Sequence, residues 1–297
     1  MHVVIGEVDP DGVVILSCKG EAARVLVDAT ALPASMERRR APAFGWLAWV
    51  GVGLAALVVA FLVIVRVPAF AAALIPARFE NRLGDSVEAT VVRRHRVCSG
   101  AAGQQALEQL EAGLAHAAGI EQPVRLVVVD DARVNALTLP GTRMIVMRGL
   151  IERVGSADQL AGVMAHETAH IAHRDPIRAL VRSTGIRLVT VAVGVNIGFV
   201  DMSSFGGQLL RLSFSREMER AADHDGVAYL QASGLRSDGL AAFFAMLGKG
   251  DRDAGGGSFL SDHPRTAERE ANNRGSAQGD SALTAQQWEA VRGMCVK

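Results

Sequence analysis

The pattern of hydrophobic and polar positions predicts a membrane helix near the start of the chain. Residues 44–65 have the sequence FGWLAWVGVGLAALVVAFLVIV, which is 22 residues without a charged side chain. As a helix this segment would span roughly 33 Å, enough for the core of a bilayer. A buried core helix usually carries a polar stripe, and this segment has none. Trp46 and Trp49 stand at one end, where interfacial aromatic residues belong. We therefore expect a transmembrane helix over residues 44–66.

This helix would separate a short N-terminal leader, residues 1–43, from a larger domain over residues 67–297. Within the leader, residues 13–16 (VVIL) and 23–29 (ARVLVDA) have the composition of strands and could form a β-hairpin. A later apolar stretch at 188–200 holds 13 residues, too few to span a bilayer alone. We interpret that stretch as a core or interfacial helix.

The domain after the membrane helix alternates between helical and strand-like patterns. Residues 104–118 repeat apolar positions with the period of a helix, and residues 124–130 and 142–147 have the composition of strands. From Ser156 onwards the period is mostly helical again. A helix, then a small sheet, then mostly helices predicts an α+β fold rather than a doubly wound parallel sheet.

Charge and cysteine positions restrict the partners and the compartment. The 31 basic and 31 acidic residues balance, so no nucleic-acid partner is expected. The arginines at 38–40, just before the membrane helix, favour a cytoplasmic N-terminus under the positive-inside rule. Cys98 and Cys295 would then lie in an oxidising compartment, where they could pair and leave Cys18 reduced. The alternative is three unrelated thiols.

A candidate metal site lies in the sequence HETAH, which contains His166, Glu167 and His170. Ser156 begins a capping pattern, so these residues should lie on a helix that ends near His173. Residues four apart share a helix face, so both imidazoles can reach one ion. The glutamate is offset by about 100° and could hold and deprotonate a water molecule. The alternative is a helix with exposed histidines, but the small apolar neighbours favour a buried site.

A catalytic zinc ion needs a third protein ligand and one open position. The metzincin continuation of the motif fails, because His173 and Pro176 stand where glycine and histidine would be required. Glu219 and Asp223 lie four residues apart on a later predicted helix, so the first could bind the metal while the second orients a histidine. Glu217 is the competing ligand, but it has no carboxylate partner four residues on.

Four separated motifs resemble metallopeptidase family forty-eight, whose members include the CAAX prenyl protease, HtpX and BepA. In chain order they are VNALTLPGTRMIVMRGLI at 134–151, HETAH at 166–170, SREMERAAD at 215–223 and DHP at 262–264. The resemblance runs from Pro76 to the C-terminus. It implies a mostly helical zincin-type metallopeptidase domain of the gluzincin type, with a small sheet, preceded here by one transmembrane helix.

The resemblance also implies roles for the candidate residues. One Zn²⁺ per chain would be bound by two histidines and one glutamate, namely His166, His170 and Glu219. Glu167 would be the general base, and Asp223 would support the site. His263 matches a late His-Pro pair of the family, where it would either act in catalysis by stabilising the oxyanion or occupy the fourth coordination position until displaced.

The substrate-binding stretch of the family, written NAFALPGG, is matched in part. Asn135, Ala136, Pro140 and Gly141 agree with it and are expected to bind substrate. The strand at 142–147 would pair with an extended substrate backbone. Three positions depart from the family pattern, namely Leu137, Thr138 and Thr142.

These features together predict a membrane-anchored zinc endopeptidase that hydrolyses unfolded or misassembled proteins. Its partners would be protein or peptide substrates and the lipid bilayer, with the catalytic domain on the periplasmic side of a bacterial-type inner membrane. One alternative is an autoinhibited zinc protein, closed by His263, that acts mainly as a chaperone or scaffold. The other is a prenyl-protein processing protease, against which a single membrane helix argues.

Overall fold

The computed structural model describes residues 4–8, 13–18, 21–26, 49–59, 72–184, 209–210, 213–250, 259, 263 and 275–295. Two compact units are present, Met1–Ala60 and Phe61–Lys297, and each is described by itself. The helix predicted at 188–200 lies outside the described residues. So do residues 44–48 and 60–66 of the predicted membrane helix.

The N-terminal unit contains a three-stranded antiparallel sheet in the order β1-β2-β3. Its strands are β1 (Val4–Val8), β2 (Val13–Cys18) and β3 (Glu21–Leu26). The two strands expected from the sequence are β2 and β3, and β1 is an addition. Residues 49–59 form a helix with exposed apolar side chains, Trp49 at 77% among them. Of the helices that the structure describes, none is both long and apolar enough to cross a bilayer.

The larger unit combines a small sheet with helices, which confirms the predicted α+β class. Its strands are β4 (Arg125–Val129), β5 (Ala136–Leu139) and β6 (Arg143–Met147). Before and between the motifs, the helices are α1 (Ala77–Val92), α2 (Ala101–Ala117), α3 (Arg148–Arg153) and α4 (Ala157–Ala172). After the HETAH helix come α5 (Asp175–Thr184), α6 (Arg216–Ala232), α7 (Gly239–Gly250) and α8 (Ala285–Gly293).

The second sheet has the order β4-β6-β5, with β6 in the middle. β6 pairs with β4 in parallel and with β5 antiparallel, so that Ile145 faces both Val127 and Leu137. All five residues of β6 are buried. The prediction that the strand at 142–147 pairs with substrate is therefore wrong, because both of its hydrogen-bonding edges are occupied. The outer strands are β4 and β5, and β5 is a strand that the sequence pattern did not identify.

Helix α4, which carries the HETAH motif, is the centre of the larger unit. Ser156 caps it by accepting a hydrogen bond from the backbone N–H of Gln159 at 3.2 Å, and His173 ends it, as predicted. The Gln159 side chain accepts instead from the backbone N–H of Gly155, so the capping is displaced by one residue. Nearly every residue of this helix is buried, which a helix in the middle of a domain requires.

Small residues on α4 let two neighbouring helices approach it closely. A Cβ added to Gly162 would lie 2.3 Å from the backbone nitrogen of Leu240 in α7. On the other side, a Cβ added to Gly226 of α6 would lie 3.1 Å from the backbone of Ala165. Glycine at both contacts therefore sets the distance between the motif helix α4 and each of its neighbours, α6 and α7.

Cys98 and Cys295 form a disulfide, which the sequence left as one of two alternatives. It joins the segment before α2 to the residues after α8. Cys98 also donates its backbone N–H to Val128 in β4 at 2.9 Å, and Gly100 donates to the carbonyl of Met294 at 3.1 Å. The C-terminal helix is thus attached to the sheet side of the core by covalent and hydrogen bonds.

Replacing Gly162 with alanine tests the close packing of α4 on α7. We expect Gly162→Ala to lower the free energy of unfolding by about 1–3 kcal/mol, because a methyl group has no room against the α7 backbone. Gly113→Ala in α2 is the matched control, since this exposed glycine has no atom within 4 Å of an added Cβ. It should be neutral or stabilising by about 0.5–1 kcal/mol. Equal effects in urea unfolding of both variants would contradict the packing described.

Candidate metal centre

Four buried side chains from separate parts of the chain converge at one point. They are His166 and His170 of α4, Glu219 of α6 and His263, and each is at most 1% exposed. One ligand atom from each lies within 4.8 Å of the others, an arrangement that could hold a metal ion. Among the residues that the structure describes, this is the one such cluster of histidine, cysteine and carboxylate groups.

The nitrogen atoms in the cluster face one another at short range. The Nε2 atoms of His166 and His170 are 3.1 Å apart, and His263 Nδ1 lies 3.2 Å from His166 Nε2. Glu219 places Oε1 at 2.9 Å from His263 Nδ1 and at 3.8 Å from His170 Nε2, and Oε2 at 3.6 Å from His166 Nε2.

These separations fit a tetrahedral metal ion. Zinc with bonds of about 2.0–2.1 Å holds its ligand atoms roughly 3.4 Å apart, which lies inside the range observed here. The donor set of imidazole nitrogens and one carboxylate oxygen is also the chemistry that zinc takes in proteins. Burial lowers the pKa of His170, so its ring is neutral and keeps a lone pair for a metal.

Two aspartates orient the histidines of α4. Asp223 of α6 places Oδ1 at 3.0 Å from His166 Nδ1, so of the two motif histidines it stands behind His166. Asp175 accepts a hydrogen bond from His170 Nδ1 at 2.8 Å, while Arg178 donates to its other oxygen. Because a carboxylate lies beside Nδ1 of each histidine, each ring directs its Nε2 towards the cluster.

Asp175 was missed as a site residue at the sequence level. It begins α5 five residues after His170, at a position that the sequence pattern marked only as the end of the motif helix. Its side chain is fully buried, and the hydrogen bond from His170 together with the nearby His173 ring keeps the pKa of its carboxyl low despite burial. A buried acid in the first turn after a histidine motif is the signal that could have identified it.

Glu167 lies beside the cluster and not in it, as its position on the helix predicts. Its Oε1 is 3.2 Å from His263 Nε2, and its Oε2 accepts a hydrogen bond from the Thr138 hydroxyl at 2.6 Å. Burial acts to raise the pKa of Glu167, but the nearby histidines, His263 foremost, lower it to about 2. The carboxylate is therefore ionised and aimed at the centre, as a proton acceptor must be.

Thr138 was known from the sequence only as a departure from the family pattern. In the structure it lies in β5, and its hydroxyl is within hydrogen-bonding distance of both the Glu167 side chain and, at 2.9 Å, the Glu167 backbone carbonyl. The edge strand and the motif helix therefore touch at the proposed general base.

His263 contacts both the cluster and Glu167. Burial acts to lower its pKa, yet the Glu167 and Glu219 carboxylates raise the pKa to about 10. Its ring stacks on Phe259, with ring centres 4.4 Å apart, and Phe259 is itself fully buried in the core. Phe214 stacks on His170 in the same way at 4.1 Å. Aromatic rings thus hold two of the histidines in place.

A further buried acid supports the motif helix from behind. Glu111 of α2 lies with both carboxyl oxygens within 3.0 Å of the Thr168 hydroxyl, in the middle of the motif. Burial raises the pKa of Glu111 to about 8, so the carboxyl is largely protonated at neutral pH. It can then donate to Thr168 while Thr168 donates to the Met164 carbonyl, and no donor is left unused.

The remaining predicted residues fall into two groups. Glu217, the competing ligand, is exposed on the first turn of α6, whereas Glu219 is buried in the cluster. Asn135 and Ala136 are buried where β5 begins, and Pro140 and Gly141 form the turn after it. The turn is anchored because the Arg143 side chain donates hydrogen bonds to the carbonyls of both turn residues.

Comparisons with known proteins agree with this geometry. Mitochondrial metalloendopeptidase OMA1 of Arabidopsis thaliana is 29% identical over 158 residues, which are 53% of this chain and 32% of that protein. OMA1 of Schizosaccharomyces pombe is 29% identical over 151 residues, 48% of this chain and 43% of that protein. The beta-barrel assembly-enhancing protease of Escherichia coli strain K12 is 25% identical over 146 residues, 45% of this chain and 30% of that protein.

The chain therefore spans less than half of the length of each of these relatives. The model of peptidase family M48 matches residues 101–275, a range that covers more than half of the chain and includes the HETAH helix, Glu219 and His263. A match of this extent, on a chain whose motif residues meet in a buried centre, shows that the chain belongs to peptidase family M48, a family of zinc metallopeptidases.

Proposed function

We propose that this protein is a membrane-anchored zinc endopeptidase that hydrolyses peptide bonds of unfolded or misassembled proteins. The observation that carries the proposal is the buried cluster of ligand atoms within 4.8 Å, with the Glu167 carboxylate beside it. One Zn²⁺ per chain would be held by the two motif histidines and Glu219. Membership of family M48 supports the same chemistry.

The reaction divides between the metal and the protein. A bound zinc ion would supply a Lewis acid for the scissile carbonyl and lower the pKa of water towards about 7. Glu167 accepts a proton from the attacking water and passes it to the leaving amine. Thr138 holds one oxygen of that carboxylate and leaves the other directed at the centre. Asp223 and Asp175 keep the imidazoles in the orientation that the metal needs.

The edge strand β5 suggests how a peptide would bind. An extended peptide can add to an exposed sheet edge through backbone hydrogen bonds, which demands little of the substrate sequence. Along β5 such a peptide would pass Thr138 and therefore Glu167. Asn135 and Ala136 would lie near one end of it, and Pro140 and Gly141 near the other. Binding of this kind favours chains that are already unfolded, which fits a role in protein quality control.

A second candidate function follows from the position of His263. A zinc site with four protein ligands is closed and structural, whereas a catalytic site keeps one position open. His263 Nδ1 is within reach of the same metal position as the other ligands, and its Nε2 contacts Glu167. If the ring stays there, the protein is an autoinhibited zinc protein that acts as a chaperone or scaffold. If it withdraws, the open position of a peptidase appears.

Disulfide pairing of Cys98 with Cys295 supports an oxidising location for the larger unit. Together with the arginines at 38–40, this supports a catalytic domain on the periplasmic side of a bacterial-type inner membrane, anchored by the helix predicted at 44–66. The curated relatives are named as a mitochondrial metalloendopeptidase and a beta-barrel assembly-enhancing protease. Processing of prenylated proteins is the weaker alternative, since one membrane helix forms no chamber for a lipidated substrate.

The two glutamates of α6 test the ligand assignment. Loss of a group that supports a metal ligand costs roughly 10- to 100-fold in metal affinity, and loss of the ligand itself should cost more. Glu219→Gln should therefore abolish peptidase activity and weaken zinc binding by more than that range. Glu217→Gln is the matched control, and it should keep about one zinc per chain, because its side chain is exposed on the same helix. Zinc content by atomic emission and casein cleavage measure both effects. The reverse pattern would move the ligand to Glu217.

Glu167 tests the chemistry separately from metal binding. Glu167→Gln keeps the size and hydrogen bonding of the side chain but cannot accept a proton, so casein cleavage should fall by about 10²–10⁴-fold. Zinc content should stay at the wild-type level, because the four cluster residues are unchanged. Cleavage at a near wild-type rate would refute the general base, and loss of zinc together with activity would make Glu167 a ligand.

His263→Ala decides between the two candidate functions. Three ligands remain after this change, so zinc should be retained. If His263 closes the fourth position in an autoinhibited protein, its removal should raise casein cleavage. If His263 instead stabilises the oxyanion, cleavage should fall by about 10²–10³-fold while zinc stays bound. An inactive wild-type protein with an inactive His263→Ala variant, both loaded with zinc, would favour the chaperone or scaffold.

A further inference from the structure

A second group of histidines and aspartates lies next to the metal centre. His173, which ends α4, has Nε2 at 2.7 Å from Asp225 Oδ2 and Nδ1 at 3.8 Å from Asp175 Oδ2. The other oxygen of Asp225 is 2.8 Å from Nδ1 of His224. His173 is 22% exposed, whereas His224 is 83% exposed. The HExxH pattern itself requires no histidine at position 173.

This group connects two helices that carry proposed metal ligands. Asp175 Oδ2, the oxygen near His173, is the same oxygen that accepts from His170 Nδ1 at 2.8 Å. Asp225 lies on α6, six residues after Glu219. His173 therefore spans from the residue that orients one ligand of α4 to the helix that supplies the carboxylate ligand.

We propose that His173 is a positioning residue of the metal centre, which holds Asp175 in place behind His170 and ties α6 to the end of α4 through Asp225. The inference rests on the proposed function in one respect, namely that the cluster binds zinc.

The charges around His173 support this role. The Asp175 carboxylate raises the pKa of His173, burial lowers it, and Asp225 raises it further, with a net upward shift. A protonated ring can donate to Asp225 through Nε2 and present its second N–H to the Asp175 carboxylate at 3.8 Å, an ion-pair contact that a neutral ring lacks. Arg178 holds only Oδ1 of Asp175, so without His173 the oxygen that faces His170 loses its second partner.

Loss of a group that orients a ligand directly typically costs 10- to 100-fold in metal affinity. His173 stands one contact further out, behind Asp175, so an effect at the lower end of that range is expected. We expect zinc to leave His173→Ala about 10-fold faster than the wild type, and Asp225→Asn to show a similar acceleration, since it removes the negative charge from the other end of the same bridge. His224→Ala is the matched control. It removes the second histidine on Asp225 without touching the bridge, and zinc should leave it at the wild-type rate.

The experiment uses the full chain loaded with zinc, with no substrate present. It measures the rate at which the ion is transferred to an excess of a colorimetric chelator. The double variant His173→Ala/Asp225→Asn completes a double-mutant cycle. If the two residues form one bridge, the double variant should lose zinc about 10-fold faster than wild type, as each single variant does, and not about 100-fold faster. Thermal unfolding of the metal-free proteins runs in parallel, and a purely structural role would lower stability without changing the zinc-loss rate.

Three results would overturn the inference. The first is zinc loss at the wild-type rate from both His173→Ala and Asp225→Asn. The second is additive acceleration in the double variant, and the third is equal acceleration in the His224→Ala control. If His173→Ala does not fold, Asp225→Asn, which preserves the shape of its side chain, decides the matter alone. A wild-type protein that binds no zinc would refute the proposed function itself, and this inference with it.

Discussion

Two buried imidazole nitrogens face each other at 3.1 Å in the middle of this protein, and the surrounding structure depends on that contact. Asp223 and Asp175 lie behind the opposite nitrogen of each ring, so the two Nε2 atoms are turned towards one another in a buried site. Such an arrangement is favourable only when a proton or a metal ion lies between the two nitrogens. The geometry therefore suits a bound metal ion, and neighbouring elements bring further ligand groups to the same point.

A centre built from several elements also requires that α4 is surrounded by them, and this helix is buried on all sides. The helix can be surrounded only because glycine and alanine line its contacts with α6 and α7, which brings Glu219 on α6 within reach of the histidines. On the sheet side, β5 brings Thr138 to Glu167. Two neighbours of α4, namely α6 and β5, thus contribute chemical groups to the centre, while α7 contributes packing. A change that moves one of these elements would alter binding and catalysis together.

Much of this could be predicted from local patterns, and the remainder could not for identifiable reasons. The HETAH helix, its Ser156 cap and the choice of Glu219 over Glu217 follow from spacing along single helices. The role of β5 was missed because a four-residue strand between turn residues has too short a pattern to be recognised. The middle position of β6 and the part played by Asp175 arise from contacts between elements, which no local pattern records.

Cys98 and Cys295 are 197 residues apart, and the whole metal centre lies in the part of the chain that they enclose. In the chain-entropy picture, a cross-link over so long a loop disfavours the unfolded state by about 5 kcal/mol. The closed loop also has a topological result. A single cut of the backbone anywhere between these cysteines leaves one covalent molecule, so an internally clipped protein keeps its full mass and its two halves side by side until the bond is reduced.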